Sequence, residues 1–352
     1  MIRRPIATES TPVMPEAQMF HPKRALSIWS CFVLWPIALS ASAATSASAQ
    51  GTGFRDAAAK VSLSTGSTVG EWILKGDAPL NQKAIVVFVH GGPGLYTEQR
   101  RLDEGAVFRR AGFTTAYYDR AGGGVSERLP AEQYSFEREI ADLEAYRVHL
   151  NADRLILWGN SFGAALAAAY AARYPEHVAA MVLTSPGTFP GQATERDFSR
   201  TERAPVVMSQ EMKNATLLID GKGAAAERQL SQADAGRIFD DFVSSQLADG
   251  FLCKGAALST PALPGGGNLY AQRLISRSAA KARPASIAPG RFPALIIRGS
   301  CDFMPAANAA RYAGFFGGDL ITLDAIGHGL LENRAAVDDA IANFLRRHFA
   351  RS

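Results

Sequence analysis

Five short, nearly unbroken apolar runs punctuate the chain, at residues 84–89, 155–158, 181–184, 294–297 and 320–323. Strands that do not alternate with polar residues belong in a parallel sheet buried on both faces. An Ala-rich stretch at 164–174, high in helix propensity, follows the second run. Between 188 and 289 the strand-like runs stop. Residues 206–219 and 233–247 show helical spacing instead, with Phe239, Phe242, Val243 and Leu247 on one face. Residues 261–267, Pro-Ala-Leu-Pro-Gly-Gly-Gly, cannot continue a helix and read as a loop or hinge. The pattern predicts an α/β architecture: a mostly parallel central sheet flanked by helices, with an inserted, mostly helical lid. Its divisions are an N-terminal extension at 1–49, a first core part at 50–186, the lid at 187–290 and a second core part at 291–352. A lid roofs the pocket and therefore sets specificity.

The ends of these runs carry the chemistry. The second leads into Gly159-Asn160-Ser161-Phe162-Gly163, giving strand, Gly-flanked turn, serine and helix in that order. A nucleophile at such a tip sits in strained backbone, and bulky neighbours would clash with it. The first run leads into His90-Gly91-Gly92-Pro93-Gly94. A serine needs a base to take its proton, and the base needs an acid to orient it. Asp302 is the first carboxylate after the fourth run, and His328, between two glycines, follows the fifth. The other five histidines fit other roles. His21 lies in the N-terminal extension, His149 and His177 at helix ends, and His348 at a helix C-terminus where a cation is favoured. His90 suits a hydrogen-bonded structural place in its Gly-rich loop. Asp319 precedes the last strand, at the wrong end of the sheet, and Asp324 is too near His328 in sequence to be its usual partner.

Residues 84–185 and 291–345 resemble the α/β-hydrolase superfamily. Within it, His90–Gly94 is similar to the loop of the proline iminopeptidase branch, and 118–126, Tyr-Asp-Arg-Ala-Gly-Gly-Gly-Val-Ser, resembles that branch's D-Q-R-G-x-G-x-S segment. The resemblance implies the α/β-hydrolase fold, a catalytic triad of Ser161, Asp302 and His328, and an oxyanion hole made by the backbone N–H groups of Gly92 and Phe162. It also implies that 119–126 is a Gly-rich scaffold turn beside the elbow. Two positions differ: the branch has Gly before its nucleophile and Trp after it, where this chain has Asn160 and Phe162. A G-N-S-x-G elbow is also similar to that of carbon–carbon bond hydrolases of the same fold. The tryptophan and glutamate signature that the peptidases carry where the lid begins is missing from this lid.

Composition narrows the partners. The chain has 352 residues, 47% hydrophobic and 20% charged, enough apolar material to bury a full core. Of its net charge of +4, half comes from Arg3, Arg4, Lys23 and Arg24 set against Glu9 and Glu16. The remainder is too near neutral to imply nucleic acid or an anionic membrane as partner. Lys23-Arg24, an apolar stretch at 25–39 and small residues at 40–49 have the layout of a secretory signal peptide, with Ala47-Ser48-Ala49 as a cleavage site. An apolar run broken by Pro36 is short for a membrane span, so export to the periplasm or exterior is expected, without a stable membrane anchor. Beyond the signal only Cys253 and Cys301 remain, a pair that an oxidising compartment would join or that would stay as two buried thiols.

These readings converge on an exported serine hydrolase that works through an acyl-enzyme on small-molecule or short-peptide substrates and needs no cofactor and no metal; the resemblance makes an aminopeptidase similar to proline iminopeptidase the first expectation. Oligomeric state is not legible in the sequence. An aminopeptidase must pair its substrate's α-ammonium with a carboxylate, and Glu195, Glu202, Glu211, Asp240 and Asp241 are the lid acids available. The alternatives are an esterase or lactonase acting on small acyl compounds, a carbon–carbon hydrolase, and a hydrolase-fold binding protein.

Overall fold

A computed structural model describes residues 49–78, 84–197, 199–201, 208–258 and 263–349, the side chains of 49–52 and 246–249 excepted. The expected signal peptide at 1–49 lies, up to residue 48, outside the described residues.

Eight strands form one sheet: β1 (Ala59–Ser62), β2 (Thr68–Leu74), β3 (Ala84–Val89), β4 (Thr115–Tyr118), β5 (Arg154–Asn160), β6 (Val178–Thr184), β7 (Ala294–Gly299) and β8 (Asp319–Leu323). Their spatial order is β1-β2-β4-β3-β5-β6-β7-β8, and only β2 runs antiparallel to its neighbours. Helices α1 (Ala49–Asp56), α2 (Gln99–Glu104), α3 (Ala106–Arg110), α4 (Phe136–His149), α5 (Phe162–Arg173), α9 (Ala306–Phe316) and α10 (Arg334–Phe349) accompany the sheet. Helices α6 (Gln210–Lys222), α7 (Gln232–Phe242) and α8 (Leu269–Ala279) lie between β6 and β7.

The central strands β5 and β6 are buried almost end to end, as strands covered on both faces must be. One side of the sheet is covered by α4, α5 and α9, in an apolar cluster that continues into the lid helices. The other packs on α3 and α10, around Trp158, whose ring lies 4.5 Å from Phe88 and 5.2 Å from Phe108. Residues 163–171 of α5 are all buried, and seven of them are Gly or Ala, which lets the helix approach the strands closely.

Lid helices α6 and α7 start where capping serines stop the chain from extending. Ser209 Oγ accepts the Met212 N–H at 3.1 Å, and Ser231 Oγ accepts the Asp234 N–H at 3.1 Å. Both therefore begin near, but not at, the limits of the hydrophobic pattern, and α7 passes into a π-turn at Val243–Leu247. The Gly-rich loop before α8 is not a free hinge. Asp240 accepts the N–H groups of Gly266 and Gly267 at 2.7 and 2.8 Å, and the Gly124 N–H donates to the Gly266 carbonyl at 2.9 Å. Asn268, fully buried, closes the attachment. Its Nδ2 donates to Gly122 O, Tyr134 Oη and Gln232 Oε1, and its N–H donates to Gly94 O at 2.8 Å.

Candidate active site

In an open α/β sheet, ligands collect beyond the carboxyl ends of the strands. Here β3 runs into His90, β5 into Ser161, β7 toward Asp302 and β8 toward His328, so all four groups rise at that end.

Ser161 sits at φ 52°, ψ −120°, a conformation that costs a non-glycine residue roughly 1–3 kcal/mol. Neighbouring backbone holds it there. Its N–H donates to Thr184 O at 3.1 Å, and its carbonyl accepts from Gly187 N at 2.9 Å and Ala164 N at 3.0 Å. The turn also needs close approach. A Cβ on Gly163 would overlap the Val89 carbonyl, and one on Gly159 would lie 2.9 Å from Ala164 Cα. These contacts give the physical reason for the glycines of the sequence pattern.

His328 and Asp302 are both buried. His328 Nδ1 lies 2.7 Å from Asp302 Oδ1, and Nε2 lies 3.0 Å from Ser161 Oγ. With the carboxylate accepting from Nδ1–H, Nε2 is left as the acceptor for the serine proton. Asp302 Oδ1 also accepts from the Met304 N–H at 2.8 Å, which fixes the carboxyl group. The imidazole is flanked by Phe303 at 4.1 Å and Phe251 at 5.6 Å between ring centres. The other acids weighed for this place are engaged elsewhere: Asp319 pairs with Arg347 at 2.7 Å and Asp324 accepts from Ser300 Oγ at 3.1 Å.

The loop after β3 abuts the elbow, for a Cβ on Gly91 would stand 3.0 Å from Ser161 Cβ. Arg120 organises it. Its backbone N–H donates to His90 Nε2 at 3.1 Å, so His90 Nδ1–H is free to donate to Gly91 O at 2.9 Å. The Arg120 guanidinium donates to Gly91 O at 3.2 Å and Gly92 O at 2.8 Å, and pairs with Glu139. A trans peptide points its N–H opposite to its C=O. With Gly91 O turned to Arg120, the Gly92 N–H faces the other way, as an oxyanion donor must. Gly92 itself is at φ +46°. The Phe162 N–H, the other group that the resemblance implies for an oxyanion hole, opens α5 at the end where helix N–H groups lack intrahelical partners. Burial, aided by Arg120, holds the His90 imidazole well below the ordinary histidine pKa, and it stays neutral.

Sequence reasoning treated 119–126 as scaffold and did not single out Arg120. Its signal was an arginine beside an aspartate in an otherwise small-residue turn. Asp119 is the hub of that turn, accepting from Thr97 N at 2.6 Å and Val125 N at 2.9 Å; burial raises its carboxyl to a pKa of about 6. Asn160 was also unassigned. Its Nδ2 donates at 3.1 Å to Thr184 O, the carbonyl that also takes the Ser161 N–H, and its Oδ1 accepts from buried Arg101 at 3.2 Å.

Glu195, Glu211 and Asp241 are exposed, Asp240 is committed to Gly266 and Gly267, and Glu202 lies outside the described residues. Cys253 and Cys301 are joined by a disulfide, linking the lid to the loop that carries Asp302.

A family model described as the alpha/beta hydrolase fold matches residues 84–214. A proline iminopeptidase of Thermoplasma volcanium is 31% identical over 105 residues, 30% of this chain and 35% of that protein. The chain thus matches about a third of the length of that relative. Among solved structures, an esterase from Exiguobacterium antarcticum superposes with a TM-score of 0.52 at 16% identity, over 82% of this chain and 98% of that one. A proline iminopeptidase of Mycobacterium smegmatis superposes with a TM-score of 0.50 at 17% identity, over 83% and 98%. Both likenesses speak to the fold.

Proposed function

From the premise that this chain has the α/β-hydrolase fold and resembles the proline iminopeptidase branch of it, we propose that it is an exported serine hydrolase working through an acyl-enzyme. The observation that carries the reading is the unbroken line Ser161 Oγ–His328 Nε2, His328 Nδ1–Asp302 Oδ1 at 3.0 and 2.7 Å. Ser161 Oγ attacks the substrate carbonyl carbon while its proton passes to His328 Nε2. The oxyanion that forms is met by the N–H groups of Gly92 and Phe162. The bond to the leaving group breaks as His328 returns the proton to it, and water, deprotonated by the same imidazole, releases the acid. Asp302 holds the tautomer and the imidazolium throughout. Export is supported by the layout of residues 23–49 and by a disulfide of the kind that persists in oxidising compartments.

For the substrate, an N-terminal prolyl amide is the first reading, supported by the His90–Gly94 and 118–126 segments and by the Thermoplasma volcanium relative. A small acyl ester is the second, favoured by the engagement of Asp240 with its own loop and by Phe251 and Phe303 beside the base. Proline arylamide, its N-acetyl form and short aryl esters, assayed side by side, separate them. A recognised ammonium leaves a carboxylate unpaired when it is acetylated, at a cost of about 1–3 kcal/mol. The peptidase reading therefore expects a preference of about fivefold or more for the free amine. Equal rates on both arylamides with fast ester turnover would leave the esterase.

A further inference from the structure

The loop that carries His328 is tied to three other pieces of chain, and the ties form a closed ring. The Gly327 N–H donates to Glu332 Oε1 at 3.0 Å, and the Cys253 N–H donates to the same oxygen at 2.7 Å. Cys253 is bonded to Cys301, and the Cys301 N–H donates at 3.0 Å to the carbonyl of Ile326, one residue before Gly327. Beside the ring, the Gly329 N–H donates to Phe251 O at 2.9 Å, and a Cβ on Gly327 would overlap that same Phe251 carbonyl. The residues on either side of His328 therefore both lie against the lid segment 251–253, Gly329 through its N–H and Gly327 through close backbone approach.

Glu332 is the side chain on which this ring depends, because one of its oxygens takes the N–H on each side of the junction. Its other oxygen, Oε2, is buried with no hydrogen-bond partner among the described residues. A carboxylate oxygen kept out of water without a donor is costly, and a group held at such a cost calls for a local reason. The double acceptance at Oε1 supplies one.

Resting on the hydrolase reading above, we propose that Glu332 is a positioning residue for the catalytic base. It staples the His328 loop to the disulfide-bonded lid segment and keeps the imidazole on the line between Asp302 and Ser161. It touches neither substrate nor the reacting atoms and acts only through the backbone of residues 327 and 253.

The test compares Glu332→Ala, Glu332→Gln and Glu332→Asp in the full chain with its disulfide formed. The amide oxygen of Gln can accept both N–H groups; Asp is one methylene too short to reach both. Two readouts are used: the rate at which a fluorophosphonate labels Ser161, and the low-field proton resonance of His328 Nδ1–H in its bond to Asp302. Expected are labelling about 10- to 100-fold slower in Ala and Asp, labelling within threefold of wild type in Gln, and a resonance that survives in wild type and Gln but broadens in Ala and Asp. Should Glu332→Ala fail to fold, the Asp and Gln pair carries the same contrast. Wild-type labelling together with an unchanged resonance in Ala or Asp overturns the proposal, and so does equal loss in Gln and Asp. A wild-type chain that is not labelled at Ser161 sinks the hydrolase reading instead, and the resonance alone then decides the role of Glu332.

Discussion

Ser161 and His328 meet at 3.0 Å, but the two sides of that hydrogen bond are built differently. The serine side is sheet. Its elbow is clamped between the ends of β3 and β6 by backbone hydrogen bonds and by glycines with no room for a side chain. The histidine side is loop. Its position comes from a disulfide, from one carboxylate shared by two peptides, and from aromatic rings, one of which belongs to the lid. Ser161 is thus fixed by the fold as a whole, and His328 by a few replaceable ties. Removing one tie should disturb the base while leaving the elbow intact.

The largest effect expected on either side is chemical. Ser161→Ala should lower turnover by up to about 10⁶-fold and abolish fluorophosphonate labelling, with folding preserved. Asp302→Asn should cost about 10⁴-fold, because the imidazole loses its correct tautomer. Persistent labelling in the first variant, or near-normal rates in the second, would mean the wrong residues are joined in this account.

A smaller effect should separate the halves. Replacing both Cys253 and Cys301 with Ser opens a loop spanning 48 residues, which the chain-entropy relation puts at about 4 kcal/mol of stability. Urea denaturation measures the loss. Amide exchange in the same variant should quicken at 325–330 and stay slow at 155–170. Uniform quickening would show that the two halves share one support.

The smallest effect concerns pH. His90 is neutral when folded because burial and Arg120 push its pKa well below 6.5. The unfolded chain takes up a proton at this residue as pH falls through about 6.5, and the folded chain refuses it. Stability present above that pH is therefore lost below it, at about 1.4 kcal/mol per pH unit until the folded value is reached. Urea midpoints for wild type and His90→Gln between pH 7 and 5 should show a shallower acid slope in the variant. Parallel slopes would mean that His90 is protonated in the folded protein.

How much of this was legible in the sequence follows from what carries each contact. β3, β5, β6, β7 and β8 announce themselves as apolar runs, and Ser161, Asp302 and His328 are nominated by standing at the ends of three of them. β4, Thr-Ala-Tyr-Tyr, carries no such signal: its tyrosines and threonine are buried by their place in the sheet, not by hydrophobicity. Residues 261–267 read as a loop or hinge because Pro and Gly break helices, yet the N–H groups of Gly265, Gly266 and Gly267 find Tyr96 and Asp240, partners that are remote in sequence. The roles of Arg120 and Glu332 escaped for the same reason. Both act on backbone groups, which every residue possesses and no motif records.

The hydrogen bond between Ser161 and His328 closes across 167 residues of chain. During synthesis at roughly 5–20 residues per second, Ser161 is made some ten to thirty seconds before the histidine exists. Throughout that interval Ser161 is an ordinary alcohol with no base beside it. A chain abandoned anywhere before β8 therefore carries the serine without the histidine, and the pair exists only in chains that run on past residue 328.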